Sequence, residues 1–419
     1  MSKERHSSAK DALDVHELPN LPAPLGEICS GNEMIPFWRA YDSWLRTHGI
    51  TLYDIRGPPK NPSGKKWFAP SEISDSALPF AQRLPDGPAE PTGLVVKPEC
   101  AYGQTAAGHD VFIKIIEKHS VEHAINRYLL ENNTLFQADK FPFVLPPVAI
   151  LDSPYGFSFL VMPLWNPSFH IDQDFLRVLD VLKFMECLLK GLVFLHSHKI
   201  AHRDISESNT LINCYAADRD TWTARDLVHE YIQHSSEVAY CLFDFDLSFQ
   251  FPSDTDIRTA RRPSEEAFRG APMYHPSDVL CGQLDYNPFP FDVACLGNMF
   301  LYRFWRAIPA IPAMAPFLAR MTTHVVEERF TAVEALTFFK QHLGHLPDEV
   351  LVSEVTLERS LIPLEHPDKY WCLLRPEQQE AWSQYRVPPM TWPNKLMLRL
   401  ASLPYGWHVM RAVRRTLRL

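Results

Sequence analysis

Residues 200–213 read IAHRDISESNTLIN. His202, Arg203 and Asp204 stand together on a polar loop that runs into the strand-like TLIN, and Asn209 follows Asp204 by five residues. An Asp on such a loop can turn one carboxylate toward a hydroxyl while the amide oxygen of the Asn meets a cation. Many loops contain both residue types, so the segment needs support from the rest of the chain. Just before it, FLRVLDVLKFMECLLKGLVFLH (175–196) has long apolar periodicity of helical type. Beyond it, the apolar strand VAYCLF (238–243) delivers Asp244-Phe245-Asp246. A carboxylate at the end of a buried strand is costly unless it is paired or binds a cation.

Further upstream, DVFIK (110–114) puts Lys114 at the end of a strand, and Glu122 opens the periodic helix VEHAINRYLL (121–130). A strand Lys held by a helix Glu is what the α and β phosphates of a nucleotide require. Short β-type runs fill the stretch from Leu94 to Met162, and helical periodicity takes over after Trp165. Strands first and helices afterwards is an α+β order, not the alternation of a doubly wound sheet. Ahead of this, residues 1–33 read as a mobile polar arm, 35–48 as an amphipathic helix carrying Phe37, Tyr41 and Trp44, and 57–92 as loop.

Taken in order, these pieces resemble a eukaryotic protein kinase domain over residues 91–345. GAPMYHPSD (270–278) is similar to the end of an activation segment, with Asp278 at the family's Glu. FDVACLGNMF (291–300) resembles the helix whose Asp, here Asp292, holds the catalytic loop. VVEERFTAVEAL (325–336) resembles the late motif whose Arg, here Arg329, pairs with that acid. HRDIS together with FDFDLS and the Pro-rich flanks is similar to the kinase-like proteins of mushroom-forming fungi. The resemblance implies a bilobal α+β fold with a β-rich N-lobe (91–163) and a helical C-lobe (166–345), between extensions 1–90 and 346–419. It further implies ATP and Mg2+ as cofactors and a protein Ser/Thr hydroxyl as acceptor. Asp204 would be the base beside Arg203, Asn209 and Asp244 the magnesium ligands, and Lys114 with Glu122 the phosphate-positioning pair. Met162 would be gatekeeper, with Leu164 offering backbone hydrogen bonds to adenine because Pro163 has no N–H.

Four features depart from the family. Only Gly103 and Gly108 lie between Leu94 and Lys114, so no G-x-G-x-x-G lid can be written. Tyr102-Gly103-Gln104 is left as an unusual lid, and Gly108 as a turn residue. Asp246 replaces the glycine of DFG, Ser206 replaces the loop Lys, and residues 215–237 are an insertion whose pattern suggests a short helix. These departures keep a pseudokinase scaffold open as the second reading. A small-molecule phosphotransferase is the third, with the activation segment and the Asp292 and Arg329 motifs against it. Arg203 leaves two readings open, a phosphate on Ser253, Thr255, Thr259 or Ser264, or a local acid.

The 419 residues are 46% hydrophobic and 22% charged, enough for a large core. Proline (36) exceeds glycine (16), which sharpens the question of the missing lid. A net charge of −9 argues against a general nucleic-acid binder. Eight cysteines without a C-x-x-C pair suit reduced thiols, and the polar start and absence of a long apolar run suit an intracellular, cytoplasmic protein. No Asp or Glu follows Glu380, yet Arg386, Lys395, Arg399, Arg411, Arg414, Arg415 and Arg418 do. This basic tail allows either contact with an anionic membrane or docking on the acidic body.

Overall fold

The computed structural model describes residues 18–28, 31–56, 66–68, 77–84, 92–94, 97–167, 176–216 and 222–417. Most of the arm expected over residues 1–33, and most of the 57–92 segment, lie outside them. The chain divides into two compact units. One comprises Met1–Glu131, Pro146–Leu164 and Tyr215–Ala224; the other comprises Asn132–Leu145, Trp165–Cys214 and Arg225–Leu419.

The first unit is built on a five-stranded antiparallel sheet. Its strands are β1 (Ile50–Leu52), β2 (Cys100–Thr105), β3 (Asp110–Glu117), β4 (Ala149–Asp152) and β5 (Phe157–Pro163), in the order β1-β2-β3-β5-β4. The β2–β3 turn uses Gly108 at φ +81°, as its place in AGHD suggests. Helix α1 (Gly31–Thr47) precedes β1, and α2 (Val121–Leu130) follows β3. The aromatic stripe of α1 packs on the sheet, with Tyr41 and Trp38 ring centroids 4.9 and 5.6 Å from Phe159. Each such ring, taken out of water, contributes roughly 2–3 kcal/mol.

Two elements differ from the sequence reading. The sheet's edge strand, Leu52 opposite Gly103, comes from upstream of residue 91. Within 57–92, strands Lys66–Phe68 and Gln82–Leu84 occur, and Thr92–Leu94 follows; Asp54–Arg56, Lys66–Phe68 and Thr92–Leu94 form a small sheet of their own. Three-residue strands are too short to display a period of two, which is why composition alone reads as loop.

The second unit is mainly helical around α3 (Val178–Ser197) and α4 (Pro288–Phe304). Both are apolar on nearly every face, as central helices must be, and Phe184 of α3 meets Phe304 of α4 at 5.7 Å. A hairpin of β6 (Thr210–Ile212) and β7 (Tyr240–Leu242) lies in the same unit, with α5 (Met314–Thr322) and α6 (Ala332–His342) packed on the helices. The insertion holds the helix Trp222–His234, which buries Val228, Tyr231 and Ile232. The tail forms α7 (Trp392–Ala401) and α8 (Gly406–Leu417). A β-rich unit and a helical unit make this an α+β, bilobal kinase-like fold. Among the described residues no helix is long and apolar enough to cross a membrane.

Candidate active site

In the helical unit the HRD loop is fixed from the core outward. Asp292, fully buried on α4, accepts the backbone N–H of both His202 and Arg203 at 2.7 Å and contacts His196 Nε2 at 3.1 Å. Arg203 adopts a left-handed φ of +68°, a conformation that persists for a residue other than glycine only where its surroundings over-determine it. Two hydrogen bonds onto one buried carboxylate supply that constraint. The ring of His202 reaches the carbonyl of Phe243 at 3.0 Å, and Ser248 Oγ donates to the carbonyl of His202 at 3.0 Å, so the Asp244 segment is tied to the same loop.

Asp204 is held on both oxygens. Its Oδ1 accepts the N–H of Ala271 at 2.8 Å, and its Oδ2 accepts Asn209 Nδ2 at 2.8 Å. Asn209 Nδ2 also donates to the backbone carbonyl of Asp204. The β6–β7 register sets Thr210 opposite Leu242, and the N–H of Phe243 donates to the carbonyl of Asn209 at 3.3 Å, which brings Asn209 and Asp244 to one end of the hairpin. With its NH2 committed to Asp204, Asn209 presents Oδ1 as the atom for a cation. That amide oxygen and the Asp244 carboxylate are hard donors of the kind Mg2+ takes, so the residues fit the ion. Asp244 has φ +66°, whereas Asp246 has none of the left-handed geometry for which glycine is needed and is exposed. Phe245 is buried beside His202, ring centroids 5.7 Å apart.

Arg203 pairs with Glu266 at 2.9 Å and donates to the Tyr286 hydroxyl at 2.9 Å. Arg262 grips the same Glu266 in a bidentate pair at 2.6 and 2.9 Å. Of the two readings of Arg203, the local acid is the arrangement present. Ser264, one of the suggested phosphate acceptors, is buried and donates to the carbonyl of Gln283. Asp278 and Arg329 form the expected pair at 2.6 Å, with the Arg329 side chain wholly buried. In place of a loop Lys, Ser206 Oγ meets Ser208 Oγ at 2.8 Å, and Glu207 is anchored by buried Arg303 at 3.3 Å. His275 was not anticipated. It is buried, both ring nitrogens lack a hydrogen-bond partner among the described residues, and burial lowers its pKa to about 4.

In the β-rich unit Lys114 Nζ meets Glu122 Oε1 at 2.7 Å. Ser120 caps α2 by accepting the N–H of His123 at 3.1 Å, which starts the helix just where Glu122 can turn back to the sheet. Tyr102, Phe112 and Met162 are direct partners across β2, β3 and β5, and Lys114 lies two residues from Phe112, on the same face. The Tyr102 and Phe112 rings touch, with centroids 5.5 Å apart. Tyr102-Gly103-Gln104 is regular strand, and Gly103 is packed between Ile50 and Ile113. The N–H of Leu164 donates to the carbonyl of Asp110 at 3.0 Å, so the donor expected for adenine is already used. Asp110 itself is buried, which raises its pKa, and accepts hydrogen bonds from Tyr215 and Gln104. Phe112 escaped the sequence reading. The signal was there, since D-V-F-I-K carries Phe where the strand motif V-A-I-K has its small alanine.

No family model matches the chain. Among curated proteins it is similar to the mitogen-activated protein kinase mpkC of Aspergillus oryzae, 27% identical over 231 residues that cover 52% of this chain and 63% of that protein. It is also similar to the mitogen-activated protein kinase sma-5 of Caenorhabditis elegans, 31% identical over 121 residues, 27% of this chain and 24% of that protein. The chain thus matches less than two thirds of the length of either relative. Together with the fold, these similarities support a protein kinase domain in this chain.

Proposed function

We propose that the protein transfers the γ-phosphate of ATP to a Ser or Thr hydroxyl of a protein substrate. The observation that carries this reading is the bonding of Asp204, whose carboxylate is oriented by Ala271 and Asn209 on a loop that Asp292 fixes from below. In this role Asp204 takes the hydroxyl proton as the acceptor oxygen attacks phosphorus, and the bond to the ADP leaving oxygen breaks. Lys114, oriented by Glu122, pairs with the α and β phosphates. Asn209 and Asp244 are the ligands for Mg2+, which when bound neutralises charge on the phosphates. Arg203 is a positioning residue. The similarity to mitogen-activated protein kinases favours Ser/Thr acceptors.

A second reading is favoured by specific observations in the β-rich unit. Touching Tyr102 and Phe112 rings on the Lys114 face, the engaged N–H of Leu164 and a strand where a glycine lid is expected all favour a scaffold that binds nucleotide poorly. Purified protein incubated with radiolabelled Mg-ATP and a generic protein substrate separates the two. Transfer to Ser or Thr that falls by about 10²–10⁴-fold in Asp204→Asn is the expected result. Absence of any Asp204-dependent transfer, in a protein whose melting is normal, assigns the scaffold.

A further inference from the structure

The tail hairpin has two apolar faces, and among the described residues one of them is packed and the other is exposed. Its inner face docks on the body of the helical unit. Trp407 donates its indole N–H to the carbonyl of Val279 at 3.2 Å and packs edge-on against Phe268 at 4.8 Å. Arg411 pairs with Glu265, and Gly282, at φ +72°, lets Met410 approach so closely that a Cβ there would stand 2.8 Å from its side chain. This is the docking that the basic tail allowed. It leaves a second face unaccounted for.

On α7, Trp392, Leu396 and Leu400 recur every four residues, and across the turn Tyr405, Val409 and Val413 do the same. Steps of four drift by about 40° per step on a helix, so each triplet makes one continuous stripe. All six are solvent-exposed, from 40% for Leu396 to 80% for Tyr405, and Leu403 in the turn joins them at 58%. Such stripes face a core in most helices. Here the core-facing side is already occupied by Trp407 and Met410. Lys395 and Arg399 flank the α7 stripe, are exposed, and have no carboxylate partner among the described residues. No acid follows Glu380 to offset them.

We propose that this outer face is a docking surface for an anionic lipid bilayer, with the hairpin lying in the plane of the interface. Helices of 10 and 12 residues are about 15 and 18 Å long, too short for a hydrocarbon core of about 30 Å, so they lie on the membrane and do not span it. The charge pattern selects the occupant. Unpaired cations beside an apolar stripe match negative headgroups over acyl chains, and Trp392 and Tyr405, each apolar with a polar edge, suit the boundary. The surface is independent of the phosphoryl-transfer reading, because none of its residues belongs to the site assigned to ATP or Mg2+.

Flotation of the full chain with vesicles tests it. The protein should float with phosphatidylcholine vesicles that contain phosphatidylserine, at low salt, and stay behind with phosphatidylcholine alone. Lys395→Glu with Arg399→Glu should weaken binding by roughly 30-fold, and Leu396→Ser with Val409→Ser should abolish it. Both variants should melt like the parent because the changed side chains are exposed, and Asp204→Asn should bind vesicles normally. No flotation with phosphatidylserine, or equal flotation of the Leu396→Ser, Val409→Ser variant, would overturn the proposal. So would a lipid-free dimer in sedimentation that this variant dissociates, since the face would then belong to a second copy of the chain.

Discussion

The two units answer the demands of phosphoryl transfer unequally. In the helical unit each residue of the loop has a partner that explains its position: Asp292 under His202 and Arg203, Asn209 and Ala271 on Asp204, Glu266 on Arg203, Asp278 on Arg329. In the β-rich unit the Lys114–Glu122 pair has the same quality, yet its surroundings depart from a nucleotide-binding sheet, with Phe112 where the strand motif has a small alanine, the Tyr102 ring against it, and a strand in place of a lid. The residues proposed to position the base are fully bonded, whereas the surroundings of those proposed to hold the nucleotide depart from the expected pattern. The difference teaches that a well-bonded loop at one end of the proposed reaction does not certify the other end.

The largest effect expected from breaking this contrast is at Asp292. Asp292→Ala strands two buried N–H groups and His196, and should lower unfolding free energy by about 4 kcal/mol in urea titration, with transfer activity lost. A loss below about 1 kcal/mol would mean that the loop is held by something other than this carboxylate. On the other side of the comparison, Phe112→Ala removes the ring from the Lys114 face. Calorimetric affinity for ATP should rise by about tenfold, with modest loss of stability. Unchanged affinity would acquit the aromatic pair.

The smallest effect is electrostatic and sharpens the account of the activation segment. His275 is held neutral down to about pH 4, whereas an unfolded His protonates near 6.5. Between those values the unfolded chain binds more protons, so stability is full above pH 6.5 and falls as pH drops through the window. Between pH 7 and pH 5 the loss from this residue should be about 2 kcal/mol. His123 and His324, also lowered by burial, act in the same direction. His275→Gln should flatten the acid limb of the unfolding free energy; a slope identical to the parent's would show that the imidazole is not buried uncharged.

Much of this was legible in the sequence, for a physical reason. His202, Arg203, Asp204 and Asn209 fall within eight residues because one loop must hold them all, and Asp292 and Arg329 were legible through the resemblance of their segments to kinase-domain motifs. The edge strand Ile50–Leu52 was not legible. It has three residues, and its partner Gly103 lies far along the chain beyond a small sheet that no periodicity announces. Glu266 as the counter-ion of Arg203 depends on how residues 264–286 fold back, which charge counts cannot reveal. The expectation that Leu164 would serve adenine followed correctly from Pro163 lacking an N–H, but could not foresee that the carbonyl of Asp110 claims the donor. For the tail, two alternatives looked exclusive because a linear pattern does not show that a helix can dock one apolar face and expose another.

Steady-state kinetics over a wide range of Mg-ATP concentration tests the central claim most directly. The account predicts Asp204-dependent transfer whose KM for ATP lies at or above about 1 mM, the upper end of the usual range, and is lowered by Phe112→Ala with kcat little changed. Tight ATP binding without turnover would contradict it, because the base would then be the part that failed.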